Sequence, residues 1–356
     1  MRVVTSVAIA AVFAATLAAA AHPLWKHDTI VNLTAPPAYT SSQQWFGRYD
    51  SLADTWRNIS TSQTATSPTP IVRVDRNPSA GGWDSIRFTA LDQQASYYAV
   101  GYVEGQTTFD GIYHSWVNFE QGAEQQFKSM PEAEAFLKTH LQWERDHETA
   151  TPFGAQLAKQ LRIVDGLVDG WQAEYDARKA ANDPSVANMT RLDWTGIYFI
   201  SWQDEAPNII GKYSQETRNR NKAQPEFDWP AMHCSALMKL TESDLFFAHD
   251  TWSHYHTMLR QLKTYAMFEG TVTMSGYPGS FSSTDDFYMT SKELAVTETT
   301  NGFFNNSLYE FIVPQSVSEF HRVMIANFLA ANASHWMQLF AHQNSGTYNN
   351  QDMVLN

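Results

Sequence analysis

The chain has 356 residues, 37 acidic against 24 basic side chains, a formal net charge of −13 and one cysteine. At 43% hydrophobic and 17% charged residues, it has the material for a sizeable core and is neither a disordered tail nor a collagen-like chain. The acidic balance, with no basic block to meet phosphates, excludes an electrostatic nucleic-acid binder, and a single cysteine excludes a disulfide framework and any multi-cysteine zinc or iron–sulfur site.

The chain opens on Met1-Arg2 and an apolar run, Val3–Ala21, with small residues at Ala19 and Ala21. That pattern predicts a secretory signal over 1–21, cut before His22. No later run approaches the ~18 apolar residues of a spanning helix, so no stable membrane span is expected after signal removal. Secretory routing gives meaning to the N-x-S/T tripeptides that begin at Asn32, Asn58, Asn188, Asn305 and Asn332. A glycoprotein of the secretory pathway is expected.

Residues 22–80, rich in Thr, Ser, Pro and Asn, read as short strands and loops. Tyr97–Val103 is aromatic and β-branched and predicts a strand ended by Gly105. Pro131–Glu148 and Pro152–Lys179 predict helices. The second places Leu157, Leu161, Val164, Val168, Trp171 and Tyr175 on one face, a core stripe without chemistry. Leu192–Trp202 predicts a buried helix, and 214–230, with its charges, Pro225 and Pro230, an exposed linker. Then Cys234–Leu240 and Asp244–Trp252 form a strand pair joined by a short turn. Strands follow near 286–290 and 294–299, and helices at 316–330 and 334–343. The chain stops just after a Gly- and Asn-rich turn and a new apolar start at Met353.

The informative position is Cys234, preceded by the linker and opening a strand. Cleavage of the His233–Cys234 bond gives this residue both a thiol and a free α-amino group, whose reference pKa is about 7.7–8.0. One residue then supplies nucleophile and general base. Antiparallel pairing returns His249-Asp250-Thr251-Trp252 towards Cys234, where a histidine can orient or polarise the thiol. Composition alone equally accommodates a structural thiol beside a core histidine.

From Trp83 onward the chain resembles the phospholipase B-like family of lysosomal glycoproteins. The resemblance rests on His233-Cys-Ser-Ala-Leu-Met-Lys-Leu240, Ala248-His-Asp-Thr-Trp252, Tyr255-His-Thr-Met-Leu-Arg260, Asp285-Asp-Phe-Tyr288, Glu298-Thr-Thr300 and Asn344-Ser-Gly-Thr-Tyr-Asn-Asn-Gln351. Upstream, Gly101-Tyr-Val-Glu-Gly105 adds to it. It implies an α+β fold, the αββα sandwich of N-terminal-nucleophile hydrolases, truncated here at the C-terminus because the family runs on beyond this chain. Two non-covalently associated pieces, 22–233 and 234–356, are implied. Cys234 matches the nucleophile freed by autoproteolysis, His249 a second catalytic position, and Trp252 and Thr299 pocket positions. Asn349 and Asn350 lie in an amide-rich turn that either supplies oxyanion donors or braces the backbone.

Asp250 stands where the family usually has Asn, which puts a negative charge next to the histidine and raises its expected pKa. The implied activity is removal of fatty acyl chains from glycerophospholipids, with a lipid substrate and no cofactor or metal. The alternatives are an N-acyl amide hydrolase on the same nucleophile or a catalytically inactive lysosomal glycoprotein. Metal chemistry on His249, His254 and His256 lacks the H-E-x-x-H spacing, and Gly276-Tyr-Pro-Gly-Ser280 is not a nucleophile elbow.

Overall fold

Short β-branched and aromatic runs between Pro, Ser and Gly breakers build the strands, and 3.6-residue apolar periodicity builds the helices. The computed structural model describes residues 43–50, 55–60, 70–77, 83–91, 96–119, 125–147, 150–214, 233–253, 255–301 and 305–356. The predicted signal segment, Asn32, residues 215–230 of the predicted linker and His254 lie outside the described residues. For Asn58, His233 and His256 only the backbone is described.

Strands β1 (Gln43–Asp50), β2 (Thr55–Ser60), β3 (Pro70–Asn77) and β4 (Asp84–Ala90) precede a helical run. That run comprises α1 (Ser96–Thr107), α2 (Phe109–Phe119), α3 (Gln125–Lys128), α4 (Pro131–Asp146), α5 (Pro152–Ala180), α6 (Trp194–Trp202) and α7 (Ala206–Tyr213). The second half holds β5 (His233–Leu240), β6 (Leu245–Trp252), β7 (Gln261–Met267), β8 (Gly270–Gly276), β9 (Phe287–Thr290) and β10 (Ala295–Thr299). It closes with α8 (Glu319–Leu329), α9 (Ala333–Ala341) and β11 (Gln351–Leu355).

The result is an α+β arrangement. One nine-stranded sheet runs β11-β10-β9-β8-β7-β4-β3-β1-β2, and β5–β6 forms a separate hairpin. Within the large sheet only β4 and β7 pair in parallel, from Asp84↔Gln261 to Thr89↔Ala266. Parallel neighbours need a long crossover, and here the whole helical run and the hairpin lie between them. The two sequence pieces therefore share one sheet, β1–β4 from the first and β7–β11 from the second.

The predicted strand at Tyr97–Val103 is instead part of helix α1. Its aromatic and β-branched content favours a strand locally, but the four-residue spacing of Gly101 and Gly105 serves a helix packed backbone to backbone. A Cβ on Gly101 would lie 1.9 Å from the Ile163 carbonyl oxygen, and one on Gly105 2.4 Å from that of Leu167. From α5, Gly166 and Gly170 answer: their Cβ atoms would each lie 2.0 Å from the Tyr98 and Tyr102 carbonyl oxygens. Gly166→Ala forces the two helices apart and should cost about 2–3 kcal/mol. Urea denaturation measures this, and a loss under ~0.5 kcal/mol contradicts such close packing.

The predicted α5 stripe is buried throughout, with Leu157 1%, Trp171 0% and Tyr175 8% exposed. Helix α1 packs on β3 and β4, and α8 on β8 and β9. The core between them contains Ile86, Phe88, Tyr265, Met274, Tyr288, Val296 and Phe320. Successive strand residues point to opposite faces, so Phe287, next to core-facing Tyr288, points away from the helices. There Phe247 of β6 meets it, ring centroids 5.4 Å apart. The hairpin thus lies on the sheet face opposite the helices, with β5 crossing β10.

Candidate active site

The hairpin register sets which side chains share a face. His233↔Trp252, Cys234↔Thr251, Ser235↔Asp250 and Ala236↔His249 are paired. Directly opposite residues and those two apart lie on one side of a strand pair, so Cys234, Thr251, Ala236 and His249 form the half-buried inner face. Trp252 and Asp250 belong to the outer face. Trp252 is 58% exposed and does not share the side of the hairpin that carries the thiol and the imidazole. It reaches Cys234 through its backbone N–H, which donates to the sulfur.

His249 is held at both ring nitrogens. Nε2 lies 3.0 Å from the Glu298 carbonyl oxygen, which accepts only, so Nε2 carries the proton. Nδ1 accepts from Thr251 Oγ1 at 3.3 Å. Burial lowers the imidazole pKa, and the carbonyl contact and the charges of Asp285 and Asp250 offset this only in part. Asp250 does push the imidazole upward as expected, but the strand alternation turns its carboxylate outward to solvent, and desolvation of the ring prevails. A neutral imidazole does little to lower the thiol pKa. In the continuous chain Cys234 is a free thiol whose pKa is pushed up to about 12, by burial first and then by the charges of Glu298 and Asp286.

Thr299 ends β10 opposite Gln351 of β11, directly after the residue whose carbonyl receives His249. In the amide-rich turn, Asn344 Oδ1 accepts from the Gly346 N–H at 2.7 Å, and Asn344 Nδ2 donates to Asn349 Oδ1 at 3.0 Å. Asn349 is exposed and braces the turn. Asn350 differs. Its Oδ1 accepts from the Asn301 N–H at 3.1 Å, while its Nδ2 is buried without a hydrogen-bond partner. Of the two amides, only Asn350 holds a buried N–H without a partner.

Sequence reading missed Thr251 and a group of acids that gathers beside the hairpin: Asp204, Asp285, Asp286, Glu298, Glu319 and Asp352. Burial and mutual repulsion raise Asp204, Asp286 and Glu319 well above ordinary carboxylate values. Burial first, with Asp352 and Glu319 adding, brings Glu298 up to about 7, although the Asp286 and Tyr348 hydrogen bonds oppose it. Asp352 rises to about 6, again through burial. The doublet Asp285-Asp286 in a Phe- and Tyr-containing block was the one available signal.

These shifts predict an acid-stable protein. Glu298 and Asp352 have raised folded pKa values, so their stabilisation is complete below about 4.5 and 3.8 and is lost as pH rises through about 7 and 6. Glu144 works in the opposite sense. Burial pushes it up, but His140 and His321 bring it down to about 2, and the Ser318 N–H at the start of α8 donates to it at 2.8 Å. Its contribution is present above 4.5 and lost as pH falls towards about 2. Thermal unfolding should therefore show maximal Tm near about pH 5 and a decline towards about pH 8. A Tm that rises steadily to pH 8 contradicts the buried placement of the acids.

Among the described residues no helix is long and apolar enough to cross a membrane, and no group of three or more His, Cys, Asp or Glu is arranged to hold a metal ion. The fold is α+β, and the one thiol of the chain stands at the head of a strand. Residues 79–356 match the family model described as Phospholipase B, and the chain belongs to that family. Phospholipase B-like protein B of Dictyostelium discoideum is 33% identical over 299 residues, 77% of this chain and 50% of that protein. Phospholipase B-like 1 of Rattus norvegicus is 29% identical over 77% of this chain and 51% of its own length. Phospholipase-B 81 of Drysdalia coronoides is 29% identical over 79% and 55%. The chain spans about half the length of these curated relatives.

Proposed function

We propose that this chain carries the nucleophile of a phospholipase B-like acyl hydrolase, with Cys234 freed by cleavage of the His233–Cys234 bond and fatty acyl chains of glycerophospholipids as the groups removed. The observation that carries this reading is the setting of Cys234. The only thiol of the chain stands at the head of β5 and on the same hairpin face as His249, with Asn350 Nδ2 unpartnered in the amide-rich turn. While the bond is intact, Cys234 has an amide nitrogen instead of an amine and a thiol pKa of about 12, which suits an inactive precursor.

After cleavage the α-amine takes the thiol proton and the thiolate adds to the acyl carbonyl. The tetrahedral oxyanion receives N–H donors, for which Asn350 is the candidate. Collapse expels the glycerol oxygen, which takes the proton from the ammonium, and leaves a thioester. The amine then deprotonates water, which opens the thioester to fatty acid and thiol. An amide substrate follows the same course with an amine as leaving group.

The parallel β4–β7 pairing supports non-covalent retention of the two pieces, 22–233 and 234–356, because it joins strands from both sides of the cut. A hairpin facing a large sheet, with helices on the far side, is compatible with an αββα N-terminal-nucleophile arrangement. Secretory routing with glycosylation agrees with the exposure of Asn188, Asn305 and Asn332. Asn305 and Asn332 cap helical turns through Oδ1, which leaves Nδ2 free for a glycan. The deciding experiment is intact-mass and end-group analysis of purified, lipid-hydrolysing protein. A new N-terminus at Cys234 is expected, and activity from an uncut chain overturns the reading.

A further inference from the structure

Asp286 precedes β9 and Glu298 lies on the adjacent strand β10. Their carboxyl groups are within hydrogen-bonding reach of each other. Tyr348 Oη lies 2.6 Å from Asp286 Oδ2 and 3.2 Å from Glu298 Oε1. Asp286 is 5% and Glu298 2% exposed, and among the described residues no lysine or arginine forms an ion pair with either. Nearby cations are engaged elsewhere: Arg260 on Asp285, Lys263 on Glu104, and Arg322 on the Val317 carbonyl and Ser345. Two buried carboxyl oxygens meet only with a proton between them.

The backbone adds an independent observation. Asp286 and Tyr348 both hold left-handed conformations, φ 51° and 46°, which non-glycine residues adopt where the surroundings enforce them. Both carriers of the contact are thus set in place by strained backbone. Glu298 then links the pair to the thiol, since its carbonyl receives His249 Nε2 while its carboxyl meets Asp286. The groups facing the pair come from every packed element. They are Asp352 on β11, Glu319 on α8, Asp204 before α7, Tyr288 on β9, Tyr348 before β11, and Cys234 on the hairpin.

We propose that Asp286 and Glu298 form a proton-sharing carboxyl pair that controls the Cys234 thiol, so that the sulfur ionises readily only while Glu298 keeps its proton. This inference rests on the reading of Cys234 as the nucleophile, and it deepens that reading by making the site acid-tuned. With both carboxyls protonated the pair is neutral. Loss of the Glu298 proton leaves one proton shared between the two carboxyls and puts a negative charge near the sulfur, which makes the thiolate harder to form. Asp286, Glu298 and Tyr348 act through Cys234 and are positioning residues.

Because Cys234 is the only cysteine in the chain, iodoacetamide labelling of the whole protein reads this one group. Its rate, followed by intact mass from about pH 5 to about pH 9, needs no turnover. In the wild type, log rate against pH should rise with a slope below one around the pH where Glu298 titrates, about 7. Glu298→Gln should restore unit slope and label about tenfold faster near pH 8, and Asp286→Asn, which removes a hydrogen bond that favours the Glu298 carboxylate, should move the break in slope to higher pH. Glu293→Gln, an exposed acid in the β9–β10 turn, should follow the wild-type curve. A purely structural role moves unfolding but not the slope. Unit slope in the wild type overturns the proposal, even should the variants fail to fold. Coupled labelling without lipid hydrolysis leaves the pair standing and removes the hydrolase reading. Hydrolysis with unit slope does the reverse.

Discussion

Cys234→Ala should leave the 233–234 bond uncut and lower acyl hydrolysis by roughly a thousandfold or more, the scale on which loss of a covalent nucleophile is felt. Cys234→Ser separates the two events. A hydroxyl still attacks the preceding carbonyl slowly, so partial cleavage is expected, while turnover of lipid stays strongly impaired. The measurements are end-group sequencing of each variant and release of fatty acid from a defined diacyl phospholipid. Wild-type processing in the alanine variant means that another protease makes the cut. Full hydrolysis by that variant removes Cys234 from the chemistry altogether. The thiol pKa of about 12 in the continuous chain sharpens the expectation, because thiolate is scarce until the α-amine is released.

The largest stability effect should come from Lys263. Its ammonium is fully buried and donates to Glu104 Oε1 at 2.7 Å, the Tyr277 carbonyl at 2.9 Å and the Ser280 carbonyl at 2.7 Å. Tyr265 Oη donates to the other Glu104 oxygen at 2.6 Å. Lys263→Met strands a buried carboxylate and two carbonyls, a loss of about 3–5 kcal/mol. In a chain of this size that corresponds to a fall in Tm of about 4–7 °C. Lys263→Met combined with Glu104→Gln should recover part of the loss, since the uncompensated charge goes. A single variant within ~1 kcal/mol of wild type contradicts the buried pair. The pair joins α1 to β7, from opposite sides of the 233–234 bond, so the variant should also weaken retention of the two pieces after cleavage.

The candidate site was legible in outline. A lone cysteine after a breaker-rich stretch, then two strand-like runs with a short turn, placed Cys234 and His249 on one hairpin, and the register agrees. Strand alternation, applied to the same hairpin, already separates Trp252 and Asp250 from His249 once the pairing Cys234↔Thr251 is known. That pairing is a register choice, and a one-residue slip inverts every face. The protonation states were not legible at all. Asp286, Glu298, Glu319 and Asp352 lie on separate elements, and only packing tells that they share one buried region and raise one another's pKa values.

Local sequence determined the long helices, because α4 and α5 carry their apolar faces and terminal Pro residues within the segment. It likewise determined the hairpin β5–β6, whose pairing spans only a short loop. Tertiary structure decided the rest. Tyr97–Val103 has the composition of a strand and the partner of a helix, since only α5, far along the chain, supplies the glycines that accept it. Likewise β4 finds β7 across the entire helical run. Periodicity records what a segment does with its near neighbours. Close backbone packing, parallel pairing and the desolvation of carboxyl groups arise from contacts distant in sequence, whose energies no single segment encodes.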